Sequence, residues 1–84
     1  MKVNNLSERL RVLVETRFPL ARSVTNDDHL LARGIVDSLG ILEVVNLIEH
    51  EFGISVNDDD LLPENFQSLS CLAAFVESKR REIS

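Results

Sequence analysis

The sequence predicts an all-α fold: a small bundle of three main helices plus one short helix, in a single domain over residues 1–84. Three observations predict it. Apolar residues recur at spacings of three and four in three separate windows, and a stripe at that period marks one buried helical face. The windows start at capping residue types, and Pro19 and Gly53 stand where the first two must stop. The extended-looking run Ile54-Ser55-Val56 is too short and isolated to be a strand with a partner, so it reads as a link.

The first helix opens at Asn5, with Glu8 three residues later in a capping-box pattern. Its stripe is Leu6, Leu10, Leu13, Val14 and Phe18, and Pro19 ends it by pushing the preceding residue out of the helical region. Residues 19–36 form a long connection that Val24, Leu30, Leu31, Ile35 and Val36 can pin to the core. Thr25 or Asn26 is placed to cap one helical turn at residues 27–31. Gly34 suits a left-handed turn into the central helix. That helix has Asp37 as its N-cap, Ser38 in its first turn, and Ile41, Val44, Val45, Ile48 and Phe52 as its stripe. Gly53 stops it, and Ile54 folds back on the last turn. Residues 57–62 read as the short capped helix, with Asp58, Asp59 and Asp60 at its positive end, and Phe66 plugs the core. Ser68 caps the last helix, whose stripe is Leu69, Leu72, Ala73, Phe75 and Val76; Lys79, Arg80 and Arg81 suit the dipole of its final turn.

Charge narrows the function classes. The net charge is −5, and residues 27–67 hold ten acids against Arg33 alone. A section this acidic repels phosphate backbones and attracts basic protein surfaces, so nucleic acid is an unsuitable ligand, although for most of these acids solubility is a sufficient role. No apolar run approaches the ~20 residues needed to span a bilayer, and residues 1–5 lack the apolar core of a signal peptide. The lone Cys71 allows no internal disulfide and agrees with a reducing compartment, so the expected location is cytoplasmic. Beside the last stripe, Cys71 reads as a small core residue. A calcium loop starting at Asp58 needs oxygen ligands at 60 and 62, glycine at 63 and glutamate at 69; the chain supplies Asp60, Leu62, Pro63 and Leu69, so no metal site is expected. His29 and His50 have no metal-spaced neighbours and no catalytic arrangement around them, and both read as surface residues. The chain is not expected to be an enzyme.

The remaining signal is Gly34-Ile35-Val36-Asp37-Ser38-Leu39. A serine in a first helical turn lies among backbone N–H groups without partners, so a phosphate ester on its hydroxyl sits at the positive end of the helix dipole. Taken alone, Asp-Ser before an apolar run is more often a plain cap. In context, Asp37-Ser38-Leu39 after Gly34-Ile35-Val36, followed by Glu43 and by Glu49-His50-Glu51-Phe52-Gly53, resembles the acyl carrier protein family over about residues 5–80.

The resemblance implies a stand-alone, monomeric carrier with 4′-phosphopantetheine on Ser38, and hence a phosphoprotein. It implies a phosphopantetheinyl transferase that recognises Asp37 and Leu39, an acyl- or aminoacyl-activating ligase that loads the terminal thiol as a thioester, and a downstream acyltransferase or synthase. Glu43, Asn46 and Glu49, with Leu42 as an apolar contact, form the expected docking face; an ordinary solvated helix surface is the plain alternative for each. Carriers of housekeeping fatty acid biosynthesis commonly have an acid directly after Asp-Ser-Leu, whereas this chain has Gly40 there and Asn46 on the docking face. Gly40 disfavours helix by roughly 1 kcal/mol relative to Ala, which loosens the first turn. Both departures favour a specialised carrier, of the kind used in secondary metabolism. The contrasting reading is an unmodified helical interaction module in which Ser38 only caps a helix.

Overall fold

The computed structural model describes residues 5–82. Three helices make the bundle, α1 (Asn5–Arg17), α2 (Ser38–Phe52) and α3 (Leu69–Glu82), and no strand occurs among the described residues. The all-α class is as expected. The short elements differ: the helix expected at residues 57–62 is a three-residue 3-10 turn, Asp58–Asp60, and two more 3-10 turns begin at prolines, Pro19–Ser23 and Pro63–Asn65. Proline presets φ for the start of such turns and lacks the N–H that a first turn leaves unbonded.

The core joins all three helices. Leu10 and Val14 of α1, Val44 and Ile48 of α2, and Leu72 and Val76 of α3 are at most 3% exposed. Phe66 packs its ring against Phe75 at a centroid distance of 5.6 Å, tilted by 52°. The central face of α2 is therefore Val44 and Ile48. Leu13, Ile41 and Val45, which belong to the expected stripes, are partly buried and pack against the core. Burying Ile48 completely removes a side chain from water that is worth about 1.5–3 kcal/mol.

The connection from α1 to α2 is held by remote partners. No helical turn forms at residues 27–31. Instead the Thr25 N–H donates to Asp28 Oδ2 at 2.8 Å, and the Asp27 N–H donates to Thr25 Oγ1 at 3.4 Å. Asn26, expected as a cap, has other work: Arg11 donates to its Oδ1 and to the Val24 carbonyl, both at 2.9 Å, and the Ser70 N–H donates to its carbonyl at 2.9 Å. The Leu30 N–H reaches the Gln67 carbonyl at 2.7 Å. These bonds tie the connection to α1 and α3, and satisfy groups that a lone helical turn would leave to water.

Both turn glycines adopt the left-handed conformation, Gly34 at φ 73° and Gly53 at φ 67°, and the Gly53 N–H closes α2 on the Glu49 carbonyl at 3.0 Å. Ser68 caps α3, accepting the Cys71 N–H at 3.1 Å. Cys71 itself is half-buried rather than part of the core. The capping box read at Asn5 and Glu8 involves the Asn5 side chain and lies outside the described residues. Lys79 does more than complement a helix dipole: it is 8% exposed and ion-paired to Asp60 at 2.9 Å.

Candidate functional site

The site is built at the start of α2. Asp37 sits in extended backbone just before the helix, and its Oδ1 accepts the Gly40 N–H at 2.7 Å. Its carbonyl accepts the Ile41 N–H at 3.1 Å, so the helix is closed from its first turn. Ser38 follows as the first helical residue and is exposed, and Leu39 beside it is 74% exposed. Asp37, not Ser38, supplies the capping side chain, which removes the structural reason offered for Ser38 in the interaction-module reading.

Gly40 corrects an expectation. It is buried, and a Cβ there would lie 3.0 Å from Val36 Cγ1, 3.1 Å from Phe18 Cε1 and 3.2 Å from Asp37 Oδ1. The missing side chain lets Phe18, just past α1, close on the first turn of α2, so the position does not present a partner with a site from which charge has been lost. Glycine at 40 is a packing residue.

Beside Ser38 opens a groove of about 210 Å³, whose lining adds Leu31, Ile41, Leu61, Leu62, Pro63 and Phe66 to the serine. Sequence reasoning missed this lining. Its available signal was a pair of leucines, Leu61 and Leu62, in an acidic stretch; they remain 38% and 45% exposed, so the core does not account for them. A second, larger groove of about 540 Å³ runs between α1 and α2 past Val12, Leu13 and Leu47 and does not include Ser38.

The expected docking residues lie on successive turns of α2 but in unequal condition. Leu42 is 54% exposed, and Asn46 is exposed. Glu43 is half-buried and paired with Arg17. Glu49 is half-buried too, and its Oε2 accepts the Val56 N–H at 2.8 Å, fastening the link after α2. One of the two acids is thus committed to the fold. His29 and His50 are exposed, as expected. No group of His, Cys, Asp and Glu among the described residues could hold a metal ion, and no helix among them is long and apolar enough to cross a membrane.

An exposed primary hydroxyl at a helix N-terminus, with the neighbouring carboxylate turned onto a backbone N–H and an apolar groove alongside, fits a phosphodiester that carries a long arm. Comparison with known proteins points to the same chemistry. A family model described as a phosphopantetheine attachment site matches residues 8–76. The solution NMR structure of a holo acyl carrier protein from Nitrosomonas europaea is similar, with a TM-score of 0.75 and 29% sequence identity, over 89% of this chain and 95% of that one. No curated protein matches the chain.

Proposed function

Because this chain belongs to the phosphopantetheine attachment-site family, we propose that Ser38 is the residue that carries the group. The chain is a carrier of the acyl carrier protein type, a non-catalytic domain with covalently attached 4′-phosphopantetheine. The observation that supports Ser38 is its place: an exposed hydroxyl on the first residue of α2, where the helix start favours negative charge. Asp37 contributes by fixing that start. With its carboxylate on the Gly40 N–H, it holds the first turn.

The bound group supplies a terminal thiol on which an acyl or aminoacyl unit is held as a thioester. The chain's own residues present it. Exposed Leu39 and Leu42 offer apolar anchors to a phosphopantetheinyl transferase and to the loading ligase and downstream acyltransferase or synthase. Glu43 and the acids around it steer basic partner surfaces. The lone half-buried Cys71 is consistent with work in a reducing compartment such as the cytoplasm.

The cargo we infer is specialised. With Gly40 buried, the support rests on the exposed face of α2, where Asn46 is neutral and the Glu49 carboxylate is bonded to the Val56 N–H. A face that is neutral at Asn46 and has the Glu49 carboxylate fastened in place steers less strongly and discriminates between partners differently. Incubation with a phosphopantetheinyl transferase and coenzyme A tests the carrier reading: the intact mass rises by one phosphopantetheine, and an unchanged mass with an active transferase refutes it. Offered to a housekeeping fatty acid synthase, the modified protein turns over poorly next to that system's own carrier; equal turnover defeats the specialised reading.

A further inference from the structure

One cation organises the segment that follows α2. Lys79 is 8% exposed, unusual for a lysine, and its Nζ donates to Asp60 Oδ2 at 2.9 Å, with Glu82 Oε1 at 3.3 Å. The same Asp60 oxygen accepts the Asn57 N–H at 3.0 Å. The Asp60 carbonyl accepts both the Asn65 side-chain amide and the Leu62 N–H, each at 2.8 Å. Asp60 therefore closes the 57–65 segment from within, and Lys79 pins that closed segment to α3.

The residues after Asp60 are Leu61, Leu62 and Pro63, which line the groove at Ser38 together with Leu31 and Ile41. Both leucines stay more than a third exposed, so burial alone does not fix where they lie. Their position depends as well on the hydrogen bonds around Asp60. We propose that Lys79 and Asp60 are positioning residues for the Ser38 groove, a latch that fixes the groove wall made by Leu61 and Leu62; its bearing on the carrier's prosthetic group rests on Ser38 being the attachment residue.

The chemistry favours a positional role over a purely stabilising one. Replacing a partly buried ion pair by apolar residues of the same volume is often neutral in stability, whereas removing one partner strands the other charge, so the pair favours the geometry in which both charges meet. The Asn57 N–H, followed by the Lys79 ammonium, lowers the Asp60 pKa below the ordinary carboxylate value, and the Asp60 carboxylate raises that of Lys79. Both shifts mean that the two groups are held in their charged forms, the forms in which the latch closes.

Amide hydrogen exchange and methyl chemical shifts of the full, unmodified chain test this. Lys79→Met raises exchange at Leu61 and Leu62 by about tenfold or more, the size expected on losing one charged hydrogen bond. It also shifts the methyl signals of Leu31 and Ile41, while Val14 in α1 and Ile48 in α2 exchange as in the parent. Lys79→Arg, which keeps a donor, restores most of the protection. If Lys79→Met fails to fold, Asp60→Asn is read in the same way. Parent-like exchange at Leu61 and Leu62, or a loss of protection spread equally over all three helices, overturns the proposal. The unmodified chain is used, so these results stand apart from whether Ser38 accepts phosphopantetheine.

Discussion

Replacing Gly40 with alanine sets two effects of opposite sign against each other. Helix propensity alone favours the change, since glycine inside a helix is worse than alanine by about 0.5–1 kcal/mol. The surroundings oppose it. The new methyl carbon meets Val36 Cγ1 at 3.0 Å, Phe18 Cε1 at 3.1 Å and Asp37 Oδ1 at 3.2 Å. Carbon atoms pack best at about 3.5–4.0 Å, so each neighbour must retreat by several tenths of an ångström. Val36 is 1% exposed and has little room to move, and Asp37 Oδ1 is tied to the Gly40 N–H at 2.7 Å. Overpacking of this kind costs about 1–3 kcal/mol, so the balance is a net loss of about 1 kcal/mol. In a domain of this size that lowers the thermal midpoint by roughly 4–8 °C, measured by circular dichroism. Gly40→Asp does worse, because it adds a second carboxylate beside Asp37 as well as bulk. A Gly40→Ala protein that melts above the parent refutes the reasoning, for it would mean that Phe18 and Val36 yield freely and propensity decides.

Two further outcomes follow from the same packing and charges. Ile48 is fully buried, so Ile48→Ala costs about 2–5 kcal/mol and lowers the melting midpoint by about 8 °C or more; a parent-like melt contradicts the assignment of the buried face of α2. Glu43 and its partner Arg17 are 42% and 51% exposed, so Glu43→Lys costs less than about 1 kcal/mol in stability. It slows modification of the chain at low salt, and added salt shrinks the difference. Equal rates for variant and parent at low salt count against this face as a docking surface.

The helices were legible because their signals are local. A stripe such as Val44, Ile48 and Phe52 needs only neighbours three and four positions away, and the same is true of Asp37 and Ser68 as caps and of Gly53 as a stop. Ser38 at the start of α2 came from the same kind of reading. What escaped depends on partners far along the chain. The fold of residues 19–36 is set by Arg11, Ser70 and Gln67, so the capping types Thr25 and Asn26 misled when read with their immediate neighbours. Gly40 looked like a lost charge and a weak helix residue because nothing local reveals that Phe18, just past α1, closes on it. Asp60 and Lys79 each looked like a dipole partner for its own helix, and their meeting across two elements is a tertiary fact. Leu61 and Leu62 carried a faint signal as leucines in an acidic run, but only the fold places them beside Ser38.

The central claim is that Ser38 alone carries phosphopantetheine, and localising the added mass tests it most directly. After incubation with a phosphopantetheinyl transferase and coenzyme A, trypsin releases residues 34–79 as one peptide, because no Lys or Arg lies between Arg33 and Lys79. That peptide contains Ser38 together with Ser55, Ser68, Ser70 and Ser78, so fragmentation must choose among them. The account predicts that every modified fragment ion includes Ser38, and that Ser38→Ala stays at its unmodified mass while melting like the parent. The added group on any other serine, or a Ser38→Ala protein that is modified as readily as the parent, contradicts it.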